Sequence, residues 1–115
     1  MATISKQFIS GAANGTAVKV VETATAGTTV HTTGSGTDDI DEIWLYASNT
    51  HTGSVTLTLE WGSADVDDNL KVVINSNETA LVAPGLLLQN SLVVKAFATV
   101  ANKVNIFGYV NRIAD

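Results

Sequence analysis

Between Val55 and Trp61 the sequence VTLTLEW alternates without a break. Val55, Leu57, Leu59 and Trp61 fall on one side of an extended chain, and Thr56, Thr58 and Glu60 fall on the other. A period of two marks a strand with one buried face, because successive side chains of a strand point to opposite faces of its sheet. The rest of the chain reads in the same way. Thr and Val are abundant, and branching at Cβ suits a pleated backbone. No window of a dozen residues keeps an i, i+3, i+4, i+7 stripe free of Gly or β-branched clusters, so helices are not expected.

Further strands are expected at Ile4–Ile9, Ala17–Thr23, Thr28–Thr33, Glu42–Ser48, Leu70–Ile74, Thr79–Val82, Leu92–Thr99 and Val104–Arg112. Asn14-Gly15, NTHTGS, NSNE and QNS punctuate them as turns. Ala83-Pro84-Gly85-Leu86 suits a type II turn, with Pro fixing φ at the second position and Gly allowing positive φ at the third. Leu92–Thr99 and Val104–Arg112 read as a hairpin across VANK. About eight strands, or nine, with turns every 8–12 residues predict an all-β fold: an antiparallel β-sandwich, with a jelly roll as one form of it. A length of 115 residues leaves room for one domain. Residues 11–115 are assigned to the sandwich and residues 1–10 to an N-terminal arm or first strand. A chain of this size buries roughly 65% of its unfolded surface, enough for a core without staples. With no cysteine, disulfides and Cys-based zinc sites are excluded.

The chain is 45% hydrophobic and only 15% charged, where globular domains average about 25% charged. Sparse charge over ample apolar surface suits a protein that covers surface by association. The net charge of −5 and six scattered basic residues argue against nucleic acid and against anionic membranes as partners, since both select clustered Lys and Arg. The start MATISKQFIS does not read as a secretory signal. The longest apolar run, ALVAPGLLL, is too short for a membrane span and is interrupted by Pro84-Gly85. Two sequons, at Asn14 and Asn77, are read as chance in the absence of such a signal.

Reactive constellations are sparse. His31 and His51 lack the spacing of a zinc site and read as surface or hydrogen-bonded histidines. DVDDN places oxygens at Asp65, Asp67 and Asn69, like the start of a calcium loop. An EF-hand needs Gly at its sixth position and Glu at its twelfth, and those positions hold Leu70 and Ser76. A looser metal site on Asp65, Asp67 and Asp68 stays open against a solvated loop. Asp38, Asp39, Asp41 and Glu42 flank the apolar run IWLYA as acids that discourage edge pairing. Ser35 in GSG lacks the G-x-S-x-G pattern, and neither a P-loop nor a dinucleotide fingerprint occurs. No catalytic residue and no cofactor is assigned, and an enzyme is not expected.

The stretch DDIDEIWLYASNT poses a sharper question. Read as a strand, Ile43, Leu45 and Ala47 share one face, while Glu42, Trp44, Tyr46 and Ser48 share the other. Phe97 stands opposite the aliphatic side of Leu92–Thr99, and Phe107 and Tyr109 stand opposite that of Val104–Arg112. Three readings fit. The rings belong to the same core through a bulge or covering loop. Or Trp44, Tyr46, Phe97, Phe107 and Tyr109 form a contact surface for another subunit or partner, the use for which aromatic residues are enriched. Or flat rings beside Asn and Asp make a platform for sugar.

Taken in order, DDIDEIWLYASNT, VTLTLEWG, LVAPGLLLQNSLVVKAFA and NIFGYVNRI resemble small β-rich virion proteins of tailed bacteriophages, especially head-decoration, capsid-stabilising components. The resemblance covers roughly Thr28 to Ile113. It implies a non-enzymatic homotrimer, made in the host cytoplasm and bound to the major capsid protein on the virion exterior. It also implies attachment through an N-terminal arm, here Ala2, Thr3, Ile4 and Ser5 and onward to Phe8. The alternative function is a carbohydrate-binding or tail-associated adhesion module.

Overall fold

The longest ladder joins Asp39–Asn49 to Val104–Ala114, eleven residues each, in continuous antiparallel register. Both segments alternate, so one face of the pair is aliphatic through its middle, at Ile43, Leu45, Ala47, Ile106 and Val110. A computed structural model describes residues 3–114 around this ladder. Nine strands are present among them: β1 Thr3–Phe8, β2 Val18–Lys19, β3 Thr28–Thr32, β4 Asp39–Asn49, β5 Val55–Trp61, β6 Asn69–Ile74, β7 Thr79–Leu88, β8 Val93–Ala98 and β9 Val104–Ala114. One sheet has the order β1-β9-β4-β7, with β2 also on β9, and the other has the order β3-β8-β5-β6.

The pairings are nested. β1 pairs with β9, β3 with β8, β4 with β7 and β5 with β6, all antiparallel. A chain doubled back as one long hairpin and rolled into two sheets gives this order, which is the jelly roll. Closing it buries both inner faces. Ile43, Leu45, Ala47, Ile106 and Val110 from one sheet meet Val30, Leu57, Leu59, Val94 and Ala96 from the other, all fully buried. Each large aliphatic side chain so buried contributes about 1.5–3 kcal/mol, which is what holds two otherwise separate sheets together.

Several sequence expectations change. Leu92–Thr99 and Val104–Arg112 are not a hairpin: β8 lies between β3 and β5, and β9 lies between β1 and β4. VANK therefore carries the chain from one sheet to the other. Ala83–Leu86 does not reverse the chain. β7 runs through it, and the register against β4 slips between Ile43 and Trp44, from Leu86 to Pro84. Gly85, with φ +77°, is the extra residue of a β-bulge, a conformation that glycine adopts without steric cost. The strand expected at Ala17–Thr23 is a strand only at Val18–Lys19, with Val20 bonded beyond it to Val104 and Asn102. The arm is not free: Thr3, Ile4 and Ser5 pair with Ala114, Ile113 and Arg112, and Ala2 lies outside the described residues.

Polar side chains tie the crossings between sheets. Asn49, buried at the end of β4, donates to the carbonyls of Gly53 (3.0 Å) and Ile74 (2.9 Å) and accepts from the His51 N–H (2.8 Å). Glu60, buried on the outer side of β5, accepts from the Gly27 N–H at 2.6 Å and from the Thr25 hydroxyl. That pair of bonds pins the segment before β3 against the second sheet.

Candidate functional site

Register sets what meets on the outer face of the β1-β9-β4-β7 sheet, because residues directly opposite in a ladder point to the same side. One row crosses all four strands: Phe8, Tyr109, Trp44 and Pro84. The next row is Phe107, Tyr46 and Leu81. On the other side of the first run Lys6, Asn111, Glu42 and Leu87, and beyond them Ile4, Ile113 and Ile40. Phe8 is 64% exposed, Leu81 46%, Phe107 43% and Tyr46 37%. The rings therefore lie outside the core, and the reading that sealed them inside is overturned for these positions.

Three polar side chains of this face meet one another. The indole Nε1 of Trp44 donates to Glu42 Oε1 at 2.8 Å, and Asn111 Nδ2 donates to the same oxygen at 3.0 Å. These two bonds hold the Glu42 carboxyl below its ordinary value. Trp44 and Tyr109 lie nearly parallel, 12° between planes and 6.2 Å between centroids. The Lys6 ammonium sits 4.9 Å from the Tyr109 ring centre, in range of a cation–π attraction. Trp44 also lies over the Gly85 bulge, where a Cβ would stand 2.8 Å from Cζ2. A groove lined by Lys6, Phe8, Gly15 and Tyr109 indents the face at its β1 edge.

Four of the five expected contact residues, Trp44, Tyr46, Phe107 and Tyr109, thus come together. Phe97 does not. It stands on the outer face of the other sheet, opposite Thr58 of β5, since β8 and β9 belong to different layers. Leu81, Pro84 and Leu87 complete the surface and were missed, and Phe8, expected in an attachment arm, joins them there. Ile4-Lys6-Phe8 does carry a period of two, but the strand that it lies beside cannot be read from that spacing.

The acidic loop is occupied differently. Asp65 caps the 3₁₀ turn Val66–Asp68 by accepting from the Asp67 N–H at 3.0 Å, and Asp68 accepts from the Ser63 hydroxyl at 2.7 Å. Among the described residues no three His, Asp or Glu side chains are grouped to hold a metal ion.

One charged cluster is buried. Asp41, opposite Arg112 in the β4–β9 ladder, accepts from its Nε at 2.7 Å and its Nη2 at 2.9 Å, and meets His31 Nε2 at 2.8 Å. Burial pushes the Asp41 carboxyl up, but the Arg112 and His31 hydrogen bonds outweigh it and leave the pKa lowered. Arg112 is raised by the same contact. Asp41 is therefore not a surface acid guarding an edge, and His31 is a hydrogen-bonded core histidine. The Ser10 N–H donates to His31 Nδ1 at 2.9 Å, while the Ser10 hydroxyl accepts from the Thr32 N–H at 2.7 Å. No Ser10 hydroxyl points at the imidazole, so the trio lacks the nucleophile–base bond of a hydrolase. It works as a clasp between the sheets, joining β3 to β4 and β9.

Comparison of the chain with protein-family models, with curated proteins and with solved structures finds no match. The aromatic face and the fold that displays it are therefore what bear on function.

Proposed function

We propose that this protein is a non-enzymatic structural component of a tailed-phage virion, bound on the capsid exterior, where it decorates and stabilises the shell as an oligomer. Its contact surface is the outer face of the β1-β9-β4-β7 sheet. The observation that carries this reading is the pair of aromatic rows on the outer face of a lone subunit, one centred on the half-buried Trp44–Tyr109 pair and one on the exposed Tyr46 and Phe107. Contiguous apolar surface of this extent marks interaction sites. Aromatic anchors bring large area at little rotamer entropy. The jelly roll is used in viral capsid domains and also in lectins, an analogy of fold that fits the proposal without naming it. The virion context comes from the likeness of DDIDEIWLYASNT and its companion stretches to phage decoration proteins. In an array on a shell, modest contacts add through effective concentration.

The test is binding to capsid shells that lack the protein. The native chain is expected to sediment with such shells, and Tyr46→Lys, which breaks the oligomer whose several contacts hold it there, is expected to weaken this without unfolding. A native chain that ignores the shells contradicts the proposal.

A second reading has one specific observation behind it. Trp44 and Tyr109 present near-parallel rings beside Glu42 and Asn111, an arrangement suited to stacking a sugar. A glycan array separates the two. A signal that Trp44→Ala removes with the fold intact favours the carbohydrate module, and silence favours the decoration protein.

A further inference from the structure

We infer that the outer face of the β1-β9-β4-β7 sheet is the surface on which two copies of this chain pair, sheet against sheet. The inference rests on the reading of that face as a contact surface and names its occupant.

The first ground is area. Strands lie about 4.8 Å apart and outward residues recur about every 6.7 Å, so four strands with up to five outward rows cover roughly 600 Å² in flat projection. A surface studded with side chains exceeds its projection, which brings it to the order of the roughly 800 Å² per partner of a standard stable interface. A pocket-sized ligand would leave most of the rows uncovered.

The second ground is charge. The chain carries −5, yet at the outward positions of β1, β9, β4 and β7 the charged residues are Lys6 and Glu42, one of each sign. Lys19 of β2 stands at the rim, beside Asn105. Two copies of an acidic protein repel least through their neutral faces. A basic partner would find little there to attract it.

The third ground is polar satisfaction. Stripping water from a donor or acceptor is costly unless it is already bonded. Here the Trp44 N–H and the Asn111 amide both end on Glu42 Oε1. The face can thus be dried against an apolar surface without orphaning these groups. An apolar surface with the same internal pairing is its own second copy. Turning one sheet over the other about a two-fold axis along the strands sets β9 over β4 and β4 over β9. Trp44 and Tyr109 then fall near the centre, and Ile4, Ile113 and Ile40 toward one end. Sheets packed face to face stay about 10 Å apart and within about 30° of alignment, a gap that these rings can fill.

A surface that is its own complement closes with two copies. The pairing therefore gives a dimer, and a homotrimer would need another contact.

The test is light scattering after size exclusion over a range of concentration. The native chain is expected to approach twice its 12.0 kDa at high concentration. Tyr46→Lys and Phe107→Lys are each expected to weaken pairing by at least about tenfold with an unchanged circular dichroism spectrum, since both side chains point outward. Val73→Lys, on the exposed outer side of the other sheet, is expected to leave the dimer intact. A native chain that stays monomeric into the millimolar range overturns the inference. So does a dimer that survives both face variants, or one that Val73→Lys alone dissolves. The two proposals fail separately. A monomer that still binds shells sinks only the pairing, and a face-paired dimer that ignores shells sinks only the virion reading.

Discussion

Trp44 and Tyr109 stand opposite each other in the β4–β9 ladder, their rings within 12° of parallel, and Gly85 lies under the indole. One strand side therefore builds a ring platform while the other, through Ile43 and Leu45, builds the core. The platform depends on a backbone irregularity in β7, which makes it open to test by single substitutions.

Gly85→Ala adds a methyl at φ +77° that would sit 2.8 Å from Trp44 Cζ2. The left-handed conformation alone costs about 1–2 kcal/mol for a residue with a Cβ, and the indole must also shift. Urea denaturation is expected to register at least that loss, with a changed near-ultraviolet signal from the displaced Trp44.

Gly108→Ala is expected to be worse. Its Cβ would meet the Trp44 carbonyl oxygen at 2.1 Å, inside the central ladder, where no flexible side chain can give way. A loss of roughly 3 kcal/mol or more is expected from such backbone overpacking, read as failure to accumulate folded protein or as a large drop in denaturation midpoint.

Asp41 ties stability to acid. Its folded pKa is lowered from 3.8, so its contribution is complete above that unfolded value and is lost as pH falls through the folded one. Melting temperature is expected to hold from neutrality to about pH 5 and to fall further in. Asp41→Asn leaves Arg112 without its anion and is expected to cost about 3 kcal/mol at neutral pH, with a flatter acid limb. An unchanged acid limb in Asp41→Asn contradicts the assignment.

His31 has a fixed tautomer. Its Nδ1 accepts from the Ser10 N–H, which leaves the proton on Nε2, facing Asp41. Nitrogen chemical shifts are expected to report Nδ1 as the acceptor and Nε2 as the protonated nitrogen. A proton on Nδ1 would contradict the Ser10 bond.

The alternation of VTLTLEW and DEIWLYAS was enough to read the all-β class, most strand positions and the two-faced strands, because period two is a local property. Pairing is not local. That is why the hairpin across VANK was expected and a sheet crossing is found, and why Phe97 was grouped with Phe107 although β8 and β9 lie in different layers. Pro84-Gly85 gave the right positive φ at Gly85 and the wrong consequence, since a bulge and a turn share that signal. Asp41 looked like one acid among four. Only its place opposite Arg112, with His31 arriving from the other sheet, makes it the centre of a buried clasp.

The account stands on the outer face of the β1-β9-β4-β7 sheet meeting another protein surface. Hydroxyl-radical footprinting of the assembled and the dispersed protein measures this side chain by side chain. Phe8, Tyr46 and Phe107 are expected to lose reactivity on assembly, while Val73 on the opposite side keeps its own. Equal reactivity of those three rings in both states would contradict the account.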